Sequence, residues 1–189
     1  MNKPLYILYV LSILLFSCKN NNQSVREPLN HTRQKVDMKS VDDNRNRNKR
    51  EEEYIKKLIK QDSTHQYKDS GHGFWYYYEV QKPNEAQKIE VGDKVRLNYE
   101  IRDLSNNIIY STTEIGDKTY WVDHENYFRG FREAVKLMKK GEEAWFIFPS
   151  NAAYGYHGDE KKIGSSVPLK MKLIIKSIKK HQKEDYEKN

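Results

Sequence analysis

The sequence predicts an α+β fold for residues 71–179, in which an antiparallel sheet wraps on one short helix. Two patterns support this prediction. Apolar and polar residues alternate along several segments, as they do in strands that bury one face. One segment instead spaces its apolar residues three and four positions apart, as a helix with one buried face does. Strands that surround a single helix in this order are typical of an α+β domain.

The first predicted strands follow a glycine-rich break. Gly71-His72-Gly73 interrupts the chain, and Phe74–Val80 continues it with the aromatic residues that strands favour. Lys94–Arg102 alternates cleanly between apolar and polar residues, and a turn at 105–107 leads into a further strand at 108–112. On the Lys94–Arg102 strand the predicted core-facing residues are Val95, Leu97, Tyr99 and Ile101.

The predicted helix is Gly130–Met138, whose apolar residues fall on one face. Lys139-Lys140-Gly141 supplies the basic residues and the glycine that commonly end a helix. Residues 142–148 and 169–176 return to the alternation of strands. Their predicted core-facing residues are Ala144, Phe146, Phe148, Leu169, Met171, Leu173 and Ile175.

The start of the chain has the layout of a bacterial export signal. Lys3 precedes an apolar run at 5–16, which is too short to span a bilayer comfortably. The following Leu15-Phe16-Ser17-Cys18 resembles the lipobox of bacterial lipoproteins. That resemblance implies a signal peptide over 1–17, cleavage before Cys18 and acylation of this cysteine, with several acyl chains giving a stable anchor. An uncleaved membrane anchor is the alternative.

Residues 18–70 are predicted to form a flexible tether that holds the domain off the membrane, because most of them are polar or charged. Within the tether, a short helix is predicted near 46–60 from a narrow apolar stripe and Glu-to-Lys pairs four positions apart. We expect this helix to pack on the domain or to fray, and a dimerisation or partner helix is the alternative. The tail at 180–189 is expected to be disordered.

Charge and spacing argue against two classes of ligand. The formal net charge is +7, but the lysines alternate with acids or stud the outer faces of strands, unlike the basic modules that bind nucleic acid. We therefore expect no nucleic-acid partner. His157, Asp159 and Glu160, taken with Asp123 and His124, fit none of the common zinc or calcium spacings. No metal site is predicted.

Four short motifs follow one another along the predicted domain. They are Gly130–Met138, Gly141-Glu142, Phe148-Pro149-Ser150 and Ala153-Tyr154-Gly155. In this order and spacing they resemble the FKBP family of peptidyl-prolyl cis-trans isomerases over about residues 73–178. With the lipoprotein-like start and the aromatic strand at 73–78, the whole chain resembles the gliding-motility-associated FKBP lipoproteins of Bacteroidetes-type bacteria.

The resemblance implies a pocket that favours the twisted state of an X-Pro amide. The rotation barrier is about 18–20 kcal/mol, and it falls when the amide loses its water and its carbonyl is held. No nucleophile, metal or cofactor is needed. The implied catalytic residues are Tyr154 as a hydroxyl donor at the mouth, Phe131 at the floor, and Tyr99. The implied substrate-binding residues are Ile109, Tyr110, Tyr120, Tyr127, Phe128, Ile163 and Met171.

Several of these positions depart from the family pattern. Ile109 and Tyr110 stand where the family usually has phenylalanine and aspartate, and Lys118 stands where a wall aromatic is common. Gly164 replaces a proline, and Met171 replaces an aromatic residue of the last strand. We therefore expect a pocket that is less aromatic than usual and lacks its usual acid.

The expected function is isomerisation of X-Pro bonds in exported proteins, as folding assistance at the cell envelope and a candidate service to gliding machinery. The expected partners are proline-containing clients, the membrane through Cys18, and an envelope protein complex, with the domain facing the periplasm. One alternative is a non-catalytic chaperone or assembly lipoprotein that holds client peptides in the same groove. Another is a structural lipoprotein whose function lies in the 19–70 arm.

Overall fold

The computed structural model describes residues 38–85 and 87–181. The elements are α1 (Met38–Gln61), β1 (Lys68–Asp69), β2 (Trp75–Val80), β3 (Lys94–Arg102), β4 (Ile108–Tyr110), α2 (Thr112–Ile115), β5 (Lys118–Trp121), α3 (Arg129–Lys136), β6 (Glu143–Phe148), the 3-10 turn Ser150–Ala152 and β7 (Leu169–Lys179). The expected signal peptide at 1–17, acylation at Cys18 and the start of the tether lie outside the described residues.

The strands form one seven-stranded sheet in the order β1-β2-β6-β7-β3-β4, and β5 also pairs with β3. Every pair of neighbouring strands is antiparallel. The long central strands β7 and β3 carry the predicted alternation, and the α+β class is confirmed. β3 has the predicted bounds because its alternation of apolar and polar residues is uninterrupted.

One face of the sheet holds the main core. The core-facing residues predicted on β3, β6 and β7 are buried there, apart from the partly exposed Tyr99. α3 packs on this face through Phe131, Ala134 and Val135. The helix lies so close to β6 that a Cβ on Gly130 would come within 2.6 Å of the Phe148 ring. Glycine is therefore required at the start of this motif.

The opposite face is covered by α1, which is longer than predicted. α1 has 24 residues rather than the 15 or so expected near 46–60. Ile55 is fully buried against Trp75 and Ile147, which point away from the main core. The helix packs on the domain, as we expected in preference to a dimerisation helix, and the sheet thus carries a helix on each face.

Both predicted borders of the domain shift outward. β1 lies before residue 71 and pairs with β2, so the domain starts earlier than predicted. At the other end, Lys180 and His181 bind the carboxylate of Asp93, with Nζ–Oδ2 and N–Oδ1 distances of 2.9 and 3.0 Å. These two residues are ordered by the contact, contrary to the expected disorder, while 182–189 lie outside the described residues. Within the described ranges, none of the helices combines the length and apolar character needed to cross a bilayer.

Candidate active site

A cleft of about 450 Å³ opens beside the carboxyl half of β3. β4, α2 and β5 supply one side of it, and the loop that follows the 3-10 turn supplies the other. The lining residues are Tyr99, Ile101, Tyr110, Glu114, Ile115, Lys118, Tyr154, Asp159 and Lys161. The cleft therefore has an aromatic interior with charged side chains among its lining residues.

The aromatic interior is centred on Phe131, which is fully buried. Tyr127 lies face to face with it, at a centroid distance of 4.3 Å and an interplanar angle of 17°. Tyr99, Tyr120 and Phe128 meet the same ring edge-on, at 5.8, 5.2 and 6.0 Å between centroids. Edge-to-face pairs of this kind are favourable beyond their buried area, so the cluster is a rigid support for the cleft.

Two tyrosine hydroxyl groups are kept protonated beside this cluster. Burial raises the pKa of Tyr154 to about 12, with the nearby negative charge of Asp159 as a second cause. Burial likewise raises the pKa of Tyr99 well above its usual value. Both side chains therefore remain O–H donors at neutral pH, which a group that holds a substrate carbonyl must be.

The Tyr127 ring belongs to the aromatic cluster and covers one face of Phe131. Phe128 meanwhile bridges this cluster to Tyr154, with 4.9 Å between ring centroids. A prolyl ring can therefore stack on that face of Phe131 only after Tyr127 moves aside.

An acid is present in the cleft, and it comes from the far loop. The Tyr110 hydroxyl donates a hydrogen bond of 2.5 Å to Oδ2 of Asp159. The second oxygen of Asp159 accepts from the backbone N–H groups of Ile163 and Lys161, at 2.7 and 3.0 Å. Tyr110 stands at the position of the family's usual acid, and its hydroxyl contacts a different carboxylate, 49 residues away in the sequence.

This pair shifts the pKa of both partners. Burial opposes ionisation of Asp159, but the Tyr110 hydroxyl and the backbone donors outweigh it and lower the pKa of this carboxyl group. Burial, with the Asp159 carboxylate next, raises the pKa of Tyr110 to about 12. At neutral pH the Asp159 carboxylate therefore lies in the cleft with three protonated tyrosines, Tyr99, Tyr110 and Tyr154.

The loop that carries Asp159 is shaped by Gly158. Its φ is +68°, and a Cβ at this position would come within 2.1 Å of the carbonyl oxygen of Ile163. The backbone of the loop closes on itself there, with the N–H of Asp159 bonded to the same oxygen at 3.0 Å. This closure holds the Asp159 carboxylate toward Tyr110.

The predicted site residues fall into three groups. Tyr99, Tyr110 and Tyr154 line the cleft, and Phe131, Tyr120, Tyr127 and Phe128 form the aromatic cluster next to it. Ile109 is partly buried against the core, whereas Ile163 and Met171 are buried in the core and are not among the lining residues.

The charged segment 157–162 is interpreted from the sequence as a flap over the pocket, and the structure places its Asp159 and Lys161 among the lining residues. Sequence reasoning missed the lining residue Glu114 and the contact of Asp159 with Tyr110, because nothing local connects these two residues. In the part of the chain that the structure describes, no three His, Cys, Asp or Glu side chains are grouped so that they could hold a metal ion.

The sequence and the fold both have known relatives. The model of the FKBP-type peptidyl-prolyl cis-trans isomerase family matches residues 85–176. A protein of Neisseria meningitidis serogroup B named "Probable FKBP-type peptidyl-prolyl cis-trans isomerase FkpA" is 30% identical over 92 residues, which are 49% of this chain and 34% of that protein. The peptidyl-prolyl cis-trans isomerase Mip of Coxiella burnetii is 30% identical over 104 residues, 54% of this chain and 44% of that protein.

Solved structures agree on the fold. A peptidyl-prolyl cis-trans isomerase from Pseudomonas syringae superposes with a TM-score of 0.57 at 19% identity, covering 72% of this chain and 96% of that one. FkpA from Escherichia coli gives a TM-score of 0.57 at 22% identity, covering 95% of this chain and 83% of that one. The alignments with the two curated relatives span less than half of the length of each. Residues 85–176 form an FKBP-type peptidyl-prolyl cis-trans isomerase domain.

Proposed function

We propose that this chain isomerises X-Pro bonds of exported proteins. The observation that carries the proposal is the pair of protonated tyrosines, Tyr154 and Tyr99, in a cleft supported by the Phe131 cluster. A twisted amide has lost resonance and is less charge-separated than a planar one, so an aromatic, water-poor site favours it. The hydroxyl of Tyr154 donates to the substrate carbonyl and holds it in the twisted geometry.

The acid of the cleft has a supporting part in this reaction. Asp159 orients the Tyr110 hydroxyl by accepting a hydrogen bond from it, and it forms part of the wall of the cleft. Because isomerisation breaks no covalent bond, no group in the site has to transfer a proton to the substrate. The residues act by binding, by excluding water and by fixing one carbonyl.

One observation favours a second candidate function, that of a non-catalytic chaperone which holds client peptides. Tyr127 covers a face of Phe131, so the family's prolyl-stacking surface is partly occupied by the chain's own side chain. If Tyr127 does not move, a client can bind only in the outer cleft beside Tyr99 and Tyr110. The client would then be held without rotation about its X-Pro bond.

The proposed location and clients rest mainly on the first residues of the chain and not on the geometry of the cleft. The lipobox-like Leu15–Cys18 segment supports an acylated Cys18 and a lipoprotein at the cell envelope that faces the periplasm. The resemblance of that segment and of strand 73–78 to gliding-motility FKBP lipoproteins supports clients or an envelope protein complex of that machinery. Deleting the protein in its host and scoring both gliding and the export of envelope proteins tests this assignment, and normal gliding contradicts it.

Isomerase activity is tested by NMR exchange spectroscopy on a short Ala-Pro peptide, with the whole chain purified in detergent. We expect exchange above the uncatalysed rate and a decrease of about three- to tenfold in Tyr154→Phe, the effect of one lost hydrogen bond. Tyr156→Phe is the matched control, because this tyrosine is 71% exposed and is not among the lining residues of the cleft. No exchange above background, together with peptide-induced shifts at the cleft, would establish the holding function instead.

A further inference from the structure

Two side chains of helix α1, four positions apart, form hydrogen bonds with the loop that carries Tyr154. The carboxylate of Glu51 accepts hydrogen bonds from both the backbone N–H and the hydroxyl of Ser150, each at 2.8 Å. One turn earlier, Nη1 of Arg47 donates to the hydroxyl of Ser166 at 2.8 Å. Residues at this spacing lie on the same face of a helix, so a single face of α1 reaches both ends of the loop.

Backbone hydrogen bonds within the loop connect Ser150 to Ser166 through Gly155. The carbonyl oxygen of Ser150 accepts from the N–H of Gly155 at 2.9 Å, and the carbonyl oxygen of Gly155 accepts from the N–H of Ser166 at 2.8 Å. Together with one turn of the α1 backbone, these hydrogen bonds close a ring, which we call the α1 clamp, made of Arg47, Glu51, Ser150, Gly155 and Ser166. Tyr154 is the residue immediately before Gly155 and belongs to the segment that the hydrogen bond from Gly155 to Ser150 closes.

The contacts at Ser150 and Ser166 are specific in their chemistry. Ser150 is 3% exposed and is the first residue of the 3-10 turn, where a backbone N–H has no partner within the turn. Glu51 satisfies that N–H. Ser166 has a φ of +56°, a conformation that a residue with a Cβ rarely adopts. The surrounding contacts, including that of Arg47, hold it there.

The contacts of Arg47 and Glu51 are not needed to hold α1 against the sheet. Ile55 already fixes α1 on the sheet through its contacts with Trp75 and Ile147. Arg47 and Glu51 precede Ile55 by one to two turns and bind loop atoms rather than the sheet. Their contribution is therefore to the position of the loop and of Tyr154.

We propose that Arg47 and Glu51 are positioning residues of the isomerase site, so that α1 is a working part of the catalytic domain and not only its tether. The effect on turnover rests on the proposed function, whereas the effect on loop order does not. If Tyr154 must meet the carbonyl of the twisted amide, a loosened clamp lowers the turnover number more than it weakens peptide binding.

The test compares Glu51→Ala with Glu53→Ala in the whole chain, by hydrogen–deuterium exchange and peptide isomerisation. Glu53 is exposed on the same helix, so its removal is the matched control. We expect amide exchange of segment 150–166 to rise about fivefold in Glu51→Ala while 52–59 stays protected, with kcat about threefold lower and KM unchanged. Glu51→Gln, which keeps an acceptor, should restore part of both effects, and Glu53→Ala should match the unaltered protein.

Unchanged exchange of 150–166 in Glu51→Ala overturns the proposal. If amide exchange of 52–59 also rises in Glu51→Ala, the variant Ser166→Gly separates loss of the clamp from loss of the helix. This substitution removes the hydroxyl that accepts from Arg47 and leaves the sequence of α1 unaltered, and glycine readily adopts a φ of +56°. Amide exchange at 150–155 that is faster in Ser166→Gly than in Ser165→Gly supports the clamp. Equal exchange rates in these two variants contradict it. An unaltered protein without isomerase activity would contradict the proposed function, while the exchange measurement would still decide on the clamp.

Discussion

The ring of Tyr127 lies flat on the ring of Phe131, with 4.3 Å between centroids and 17° between planes. In the FKBP family pattern, the residue at the Phe131 position forms the floor on which the substrate proline rests. Here that floor is covered on one side by a neighbour from the same segment. A proline ring could occupy this side of Phe131 only after the Tyr127 ring had moved away.

Replacing Tyr127 by valine should uncover this floor. We expect peptide affinity to rise several-fold and the free energy of unfolding to fall by about 1–2 kcal/mol, since a stacked aromatic pair is lost. Peptide titration by NMR and denaturant unfolding measure the two effects. Tyr156→Val, at an exposed position of the loop after the 3-10 turn, is the control for the change in composition. Equal or weaker peptide binding by Tyr127→Val would mean that the ring helps to bind the substrate.

The Tyr110–Asp159 hydrogen bond should be visible as a coupling energy. In a double-mutant cycle with Tyr110→Phe and Asp159→Asn, we expect a coupling of about 1 kcal/mol in the free energy of unfolding, because the pair is partly exposed. Strictly additive effects of the two substitutions would show that the two side chains do not stabilise one another.

The same carboxylate gives an acid dependence with a defined sign. The pKa of Asp159 is lowered in the folded protein, so its stabilising contribution is complete above the ordinary value of 3.8 and is lost as the pH falls through the folded pKa. We expect the loop 154–163 to loosen below about pH 4 in the unaltered protein. Hydrogen–deuterium exchange corrected for pH measures this, and Asp159→Asn should lack the transition.

Alkaline pH should leave the hydroxyl donor intact well beyond the usual range of tyrosine. Because burial and the Asp159 charge raise the pKa of Tyr154 to about 12, its O–H is retained through pH 10 and lost only toward pH 12. The isomerisation rate should therefore stay level between pH 7 and pH 10, measured with a peptide that has no ionisable side chain. A decline centred near pH 10, absent in Tyr154→Phe, would contradict this assignment.

Gly158 should tolerate no side chain. Gly158→Ala adds a Cβ within 2.1 Å of the Ile163 carbonyl oxygen, whereas Gly155→Ala adds one with no atom within 4 Å, and both glycines have a positive φ. The control variant Gly155→Ala therefore loses only about 1 kcal/mol of the free energy of unfolding, from backbone strain. Any larger loss in Gly158→Ala measures the steric clash. We expect that further loss to be about 1–3 kcal/mol in denaturant unfolding. Equal losses would show that the loop yields freely.

Membrane attachment should depend on Cys18. In the native host, Cys18→Ser should move the protein from the membrane fraction to the soluble envelope fraction, because a serine cannot receive the thioether-linked lipid. Mass spectrometry of the unaltered protein should find an acylated cysteine at the new N-terminus. An unmodified Cys18 in a membrane-bound protein would favour the uncleaved anchor.

Local patterns were sufficient for the sheet and for α3. β3 and β7 alternate over many residues, and the spacing of Phe131, Ala134 and Val135 indicates a helix. β3 has its predicted bounds, β7 extends to Lys179 instead of residue 176, and α3 ends at Lys136 instead of Met138. The first half of α1 has no apolar stripe at all. Its helical conformation could be expected only from the contacts of Arg47 and Glu51 with serines more than 90 residues away.

The candidate site, like the fold, could be predicted from local motifs but not from contacts between distant residues. The motif residues Tyr99, Phe131 and Tyr154 do meet around one cleft and its aromatic support. The hydrogen bond from Tyr110 to Asp159 and the stacking of Tyr127 depend on side-chain directions set by the folded chain. Neither leaves a pattern in the local sequence, since each residue type fits an ordinary loop or strand end.

The outer strands of the sheet, β1 on one side and β4 and β5 on the other, are short, and this bears on how copies of the protein behave beside one another. β1 has only two residues, the exposed Lys68 and Asp69, while β4 has three and β5 four. An edge this short, and charged on the β1 side, offers few free backbone groups to a strand of a second molecule. With the lipid anchor that we propose, copies of the protein would meet at high local concentration on a membrane surface, where long unpaired edges promote aggregation. The terminal strands of this sheet would let neighbouring molecules remain separate there.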